Sequence, residues 1–388
     1  MAPTRSALRL AASCALGVAA IATTDAAEWS AAPVFNWIVD QDSNRTLAER
    51  SRTSQGGTMR LDLNLIRADE TGQFSLRPYF ALRRFTQDGA QGGAQDADDF
   101  GLDLSSVWLG ERSQLTAGAS YAVESTLTSE LTDTGISSGD LHRRTRIGQL
   151  GWEWRHAEDR AFQLQASYAN VDYQGLRAER RLGYEYPSLS LEEHFTLSPL
   201  TSVSITVLAA ELISPLEFAD ARNQSLSVGL ERALSEQTLL HTSLGISRRE
   251  FQFGQDHGFV WEADVTRAFE AGKLNVFYRR QLVPSGLGFL VERDEAGVTF
   301  NHPLSELSSA ALAARSFRND SAQFTSSDER RRFEEISAGL YWHLNETASI
   351  GFSVAERRAQ QVQGADLTNG FRVVATLTWA PRKYSISR

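Results

Sequence analysis

The sequence predicts an all-β fold: a transmembrane, antiparallel, up-and-down β-barrel of about eighteen strands, with about sixteen as the main alternative. Three observations predict it. Segments with one apolar and one polar face, alternating with period two, recur along almost the whole chain. The connections between them alternate between short polar turns and long polar loops. Beyond the first residues, no stretch approaches the roughly 18 consecutive apolar residues of a membrane helix, so a membrane chain of this kind has to close as a barrel.

The first residues read as a targeting segment. Arg5 and Arg9 supply a basic start, Leu10 to Ala22 an apolar run, and Thr24-Asp25-Ala26 a small-residue cleavage site. This gives a signal peptide over 1–26 and a barrel over 27–388. The only cysteine, Cys14, lies in the apolar run, leaving the remainder without disulfides or thiolate metal sites.

Val34 to Val39 is a weakly alternating first strand that ends in the polar run DQDSNRTLAERSRTSQGG. Met59, Leu61, Leu63 and Leu65 then alternate with Arg60, Asp62 and Asn64, and the turn ADETG leads to Phe74, Leu76, Pro78, Phe80 and Leu82. Pro78 has no N–H for the ladder and predicts a local bulge. The long loop DGAQGGAQDADD precedes Phe100, Leu102, Leu104 and Trp108, and the turn GERSQ precedes Leu115, Ala117, Ala119, Tyr121 and Val123. After another long loop comes the clearest hairpin, from Leu141 to Tyr173. Leu150, Trp152 and Trp154 oppose Gln149, Glu153 and Arg155, HAEDR makes the turn, and Phe162, Leu164, Ala166 and Tyr168 oppose Gln163, Gln165 and Ser167.

The same unit continues through the turns TLSPLTS, ALSEQT, FEAGK, NHPLSE and LNETA to a last strand carrying Phe371, Val373, Ala375, Leu377 and Trp379. Many outer-membrane barrels end on an aromatic residue; this chain ends at Arg388, so the final strand is expected to reach Tyr384 or Ile386 with a short overhang.

The apolar parity is assigned to lipid, because an Arg or Lys at the bilayer midplane of that face costs roughly 2–4 kcal/mol. Trp108, Trp152, Trp154, Trp342 and Trp379 all fall near short-turn ends and predict an aromatic girdle at the periplasmic interface. A soluble repeat protein would lack the long and short rhythm. On the opposite parity stand Arg60, Arg77, Arg83, Asp103, Glu153, Arg155, Glu262, Asp264, Arg279, Arg315, Arg357 and Arg372, the candidate lumen-lining residues. A barrel of this size leaves an aqueous channel, and inward arginines attract anionic solutes. A charge-paired wall that keeps the lumen wet is the plainer reading for any one of them.

Other function classes fare poorly. A net charge of −9 and a pI near 5.4 offer no strongly basic face for nucleic acid. There is no H-E-x-x-H, phosphate-binding glycine loop or calcium loop, and His142, His241, His257 and His343 stand singly. The expectation is therefore a non-enzymatic barrel without cofactors, whose first partner is outer-membrane lipid.

The turn ALSEQT, the loop entry STLTSELTDTG from Ser125 to Gly135, the phrase NVDYQG, the stretch LVPSGLGFLVERDEAGVTF from Leu282 to Phe300 and the ending KYSISR are similar to outer-membrane β-barrel proteins found with exopolysaccharide biosynthesis and secretion systems of Gram-negative bacteria. The resemblance implies a porin-like barrel in the cell outer membrane, a passage for polysaccharide or small solutes, with polysaccharide and periplasmic export components as further partners. Two alternatives stay open: a structural or adhesion barrel whose lumen is closed by inward-folded loops, and an outer-membrane hydrolase.

Overall fold

The computed structural model describes residues 28–45, 47, 53–87, 96–126, 141–175, 182–216, 219–252, 254–285, 288–321, 331–360 and 366–387. The leader over 1–26 with Cys14, and most of the two long loops DGAQGGAQDADD and TSELTDTGISSGD, lie outside the described residues.

The strands follow one another around a single antiparallel sheet. The first five are β1 (Glu28–Asp42), β2 (Ser54–Asp69), β3 (Gly72–Gln87), β4 (Ala97–Leu109) and β5 (Ser113–Ser125). Next come β6 (His142–Ala157), β7 (Arg160–Gln174), β8 (Tyr184–Ser198), β9 (Thr201–Leu212) and β10 (Ala221–Ser235). β11 (Thr238–Phe251), β12 (Gly254–Phe269), β13 (Gly272–Pro284), β14 (Leu290–Ser305) and β15 (Ser308–Ser321) continue it. The circuit ends with β16 (Arg331–Asn345), β17 (Ala348–Gln360), β18 (Thr368–Trp379) and the short β19 (Tyr384–Ser387).

β1 pairs with β2 on one edge and with both β18 and β19 on the other, which closes the barrel and leaves no free edge between first and last strand. β18 and β19 are one stave broken around Pro381, so the barrel has the 18 staves the sequence predicts. The overhang takes the form of this break: Tyr384 to Ser387 pair with Ala31 to Glu28. β1 is far longer than its alternation suggested, because inward Ile38 and the stretch Ala31-Ala32-Pro33 blur a pattern that pairing nevertheless holds in register from Glu28 to Asp42.

The bulge expected at Pro78 is absent. Asp62 faces Tyr79 and Leu65 faces Leu76, one unbroken register; only the two intervening pairs drop out of the ladder, and Pro78 still pairs with Leu102 on the other side. A residue without an N–H removes bonds to one neighbour, and here the remaining ladders on both sides are long enough to hold the strand straight.

The outer face is apolar through the middle of the barrel, with Leu244, Phe259 and Ile336 each about two-thirds exposed to the surroundings. In hydrocarbon that exposure is no cost, and the closed ladder pairs the backbone groups of neighbouring strands with one another. Trp108, Trp152, Trp154, Trp342 and Trp379 stand on this face close to the short turns. Trp152 stacks on Trp154 at 6.1 Å and Trp379 on Phe35 at 5.2 Å. The exposed Trp29, near the start of β1, joins the same level.

The inner face carries small residues, among them Gly101, Ser120, Ala313, Ser337, Gly351 and Ala355, interspersed with charged ones such as Arg77, Asp103, Glu262 and Arg279. Three inward aromatic rings lie over glycines: the Tyr79 ring covers Gly101, Phe277 covers Gly297, and Tyr341 covers Gly339 and Gly351. The rings thus line the wall and leave the bore clear.

Pairing is weakest between β12 and β13. Their ladder stops at Trp261 and Arg280, although both strands continue upward. Arg249 of β11 lies across Gly258 at this seam and binds Glu292 of β14.

Candidate functional site

The extracellular half of the lumen is pinched from two sides. The first pinch grows out of β1. Its inward residues Asp40 and Asp42 continue the strand's parity into the loop, and Asp42 accepts the backbone N–H of Asn44 at 3.0 Å, an Asx turn that swings the chain into the barrel. Ser43 fastens the loop to β18: its N–H donates to the Phe371 carbonyl at 2.9 Å, and its Oγ accepts the Phe371 N–H at 2.8 Å. Asn44 Nδ2 donates to the Asn369 carbonyl at 3.0 Å. Leu47, in the left-handed region at φ 48°, is fully buried against Phe317, Phe333 and Ala359, inward residues of β15, β16 and β17. The two phenylalanine rings stack at 5.1 Å beneath it.

Charge locks this loop in place. Asp40 holds Arg45 and accepts two bonds from Arg372, at 2.7 and 3.1 Å, while Asp42 pairs with Arg357. Arg45 also donates through Nε to Ser54 Oγ at 3.0 Å and lies 3.7 Å over the Phe85 ring. Burial lowers the pKa of Arg45 from its ordinary value, opposed by the neighbouring Asp40. Buried ions persist when their geometry supplies counter-charge and hydrogen bonds together, as it does here.

The second pinch is apolar. The connection from β13 to β14 turns inward at Gly288, whose φ of +75° favours glycine and where an added Cβ would meet Leu182 at 2.8 Å and Ser214 at 3.1 Å. The following Leu290 is fully buried in a cluster with Val171, Tyr184, Leu212 and Ala221 from β7, β8, β9 and β10.

Between the pinches the walls carry the remaining charge. Arg315 binds Glu295 at 2.7 Å and, with Arg293, faces the Phe317 ring. Arg83 binds the buried Asp99 at 2.6 Å, and Tyr79 donates to Glu124 at 2.6 Å. A recess of about 290 Å³ below the first pinch is bordered by Arg372, Glu335, Tyr341, Ser337 and Ser353.

The structure puts every sequence-selected lumen candidate on the inner parity. Arg60 and Asp62 pair on β2; Arg77 stands opposite Asp103, and Glu262 opposite Arg279. Asp264 accepts from Asn275 Nδ2 at 2.8 Å. Arg357 and Arg372 meet at the first pinch, and Arg315 stands beside it. Glu153 and Arg155 lie apart from all of these, bonded to each other at 3.2 Å near the periplasmic mouth. Asp40, Asp42, Arg45, Leu47, Arg293 and Leu290 escaped sequence reasoning. A usable signal was present in Leu47, an apolar residue inside an otherwise polar loop.

No protein-family model and no curated relative matches this sequence. The fold is similar to solved structures: OccAB3 of Acinetobacter baumannii (TM-score 0.51, 9% identity, 92% of this chain and 99% of that one), OccK9 (OpdG) of Pseudomonas aeruginosa (0.51, 11%, 91% and 98%) and OccK2 (OpdF) of the same organism (0.50, 11%, 92% and 98%). At such identities the likeness is one of fold. A closed antiparallel barrel with short turns at one end and an apolar outer band is an outer-membrane architecture, and the chain resides in the outer membrane.

Proposed function

We propose that this chain is an outer-membrane channel for small charged solutes, with its selectivity set where the β1–β2 loop meets the arginines of β14 to β18. The observation that carries the reading is the narrowing of the extracellular half of the lumen onto Arg293, Arg315, Arg357 and Arg372, with Asp40, Asp42 and Glu295 among them.

The charges are also unevenly spread around the wall. Inward Glu192, Glu231, Glu262 and Asp264 give the β8–β12 sector an acidic cast, and the β14–β18 sector is rich in arginine. Fixed charges in a narrow, partly dehydrated passage act far more strongly than in bulk water. A solute bearing a carboxylate is drawn to the arginine sector, and one that carries an amine as well is turned so that its cationic end faces the acids.

A small solute is favoured over a polymer because two inward-folded segments occupy the upper lumen. The same segments favour the closed structural barrel as second reading. Planar-bilayer recording of the purified protein separates them: discrete conductance steps with a measurable ion preference support the channel, and a silent bilayer with correctly folded protein supports the closed barrel. Blockade by an added polysaccharide would return the export reading.

A further inference from the structure

The outer face changes character over a short height. Across β13 to β17 the outward row Leu274, Phe300, Leu312, Ala338 and Val354 is apolar, as is most of the next row, Val276, Val298, Ala314 and Ile336. Two steps further toward the extracellular end the outward residues are Arg280, Asp294, Arg318 and Arg332, with Glu334 and Arg358 just below.

Arg318 and Arg332 are register partners on neighbouring strands. Like charges directly opposite each other destabilise a sheet. Arg358 stands opposite Glu334, diagonal to Arg332. The side chains of Arg318, Arg332 and Arg358 are 56%, 54% and 50% exposed; Asp294, Asp320 and Glu334 beside them are 16%, 22% and 27% exposed, and Glu356 beside Arg358 is 47% exposed. Each guanidinium is braced by the carboxylate two residues along its own strand: Arg318 by Asp320 at 2.7 Å, Arg332 by Glu334, and Arg358 by Glu356 at 2.6 Å. A carboxylate engages only part of a five-donor fork, so the arginines are held and aimed outward.

Outward arginines at a corresponding level, also about half exposed or more, recur as Arg84, Arg146, Arg222 and Arg248. The two lysines of the chain, Lys273 and Lys383, lie at the opposite, periplasmic end. Arginine is the side chain whose planar fork fits a phosphate with two parallel hydrogen bonds.

We infer that Arg318, Arg332 and Arg358 form a docking site for the phosphorylated sugar headgroup of the outer-leaflet glycolipid, lipopolysaccharide. The phosphate takes guanidinium donors that the bracing carboxylates leave open, and the acyl chains lie on Leu312, Ile336 and Val354 further toward the mid-plane. Continuity of the arginine patch with the lipid-facing band selects a lipid over a soluble anion. The site is on the outside of the barrel and does not depend on what the lumen passes.

The test uses the purified full-length protein in detergent, titrated with bisphosphorylated lipid A and with the same lipid dephosphorylated. The phosphorylated form is expected to bind at least about tenfold tighter, and the triple variant R318Q/R332Q/R358Q to lose at least about that factor while its conductance stays at the wild-type value. Equal binding of the two lipids to the wild-type protein overturns the site, as does a triple variant with wild-type affinity. Displacement of the lipid by millimolar inorganic phosphate, with full occupancy by phosphate alone, assigns the patch to a free anion and overturns the lipid. The comparison of the two lipids on wild-type protein stands even if the triple variant fails to assemble, and the single change Arg332→Gln then reports a smaller loss in the same direction.

Discussion

The two segments that narrow the upper lumen do the same mechanical work with opposite chemistry. The β1–β2 loop is held by Asp40 and Asp42 among Arg45, Arg357 and Arg372, with Leu47 as the apolar anchor among its described residues. The β13–β14 connection is held by Leu290 among Val171, Tyr184, Leu212 and Ala221. Apolar contacts add up gradually and tolerate partial loss. A buried ion network is all-or-none, because removing one partner strands another in a place without water. The first segment is therefore the part of the lumen that single charge changes can unlatch, and the second is the fixed side against which it closes.

The largest expected effect follows from that difference. Asp42→Ala leaves Arg357 buried without its counter-charge, a defect of about 3–5 kcal/mol when a buried pair is broken. The loop should release, and single-channel conductance should rise severalfold; an unchanged conductance would show that Leu47 alone holds the loop. Leu290→Ala removes buried side-chain contacts worth about 2–5 kcal/mol at a fully enclosed site. Its conductance increase should be smaller, since β14 stays paired to both β13 and β15 from Val291 onward, and its ion preference should match wild type.

Smaller still, and of a different kind, is Arg315→Glu. It places a second negative charge beside Glu295 and takes the guanidinium off the Phe317 ring, but leaves the ion pairs of Asp40 and Asp42 with Arg372 and Arg357 in place, so ion preference should move toward cations at nearly constant conductance. An unmoved reversal potential would remove Arg315 from the selectivity surface. That preference should also fade as salt rises from 0.1 to 1 M, because the screening length shrinks from about 10 Å to about 3 Å. The least perturbing check is chemical. With Cys14 as the only native cysteine, a thiol introduced at Gln165 should react with a water-borne reagent, and one at Leu164 should not.

The Leu141 to Tyr173 hairpin shows why most of the barrel was legible. Its alternation fixes two faces, and the turn between Ala157 and Arg160 falls inside HAEDR. Such features are local, and period two reports them directly. The pinches are not local. Asp42 and Arg357 are 315 residues apart, and their meeting depends on β1 closing against β18. Pro78 failed in the other direction: the rule that proline disrupts a ladder is local, and pairing on both sides of β3 outweighed it. Charges along the outer rim were also obscured, since above the membrane the lipid parity no longer demands apolar residues.

The glycines beneath the inward rings carry one more consequence. At Gly351 an added methyl would come within 2.8 Å of the Tyr341 ring, and at Gly297 within 2.4 Å of Phe277. In both places the nearest obstacle is a side chain that can swing, so an alanine there would lift the ring off the wall and into the bore. The barrel can thus change its calibre by a single methyl group, with strand number and register untouched, and relatives tuned to solutes of different girth would be expected to differ at these bare positions before they differ at any charge.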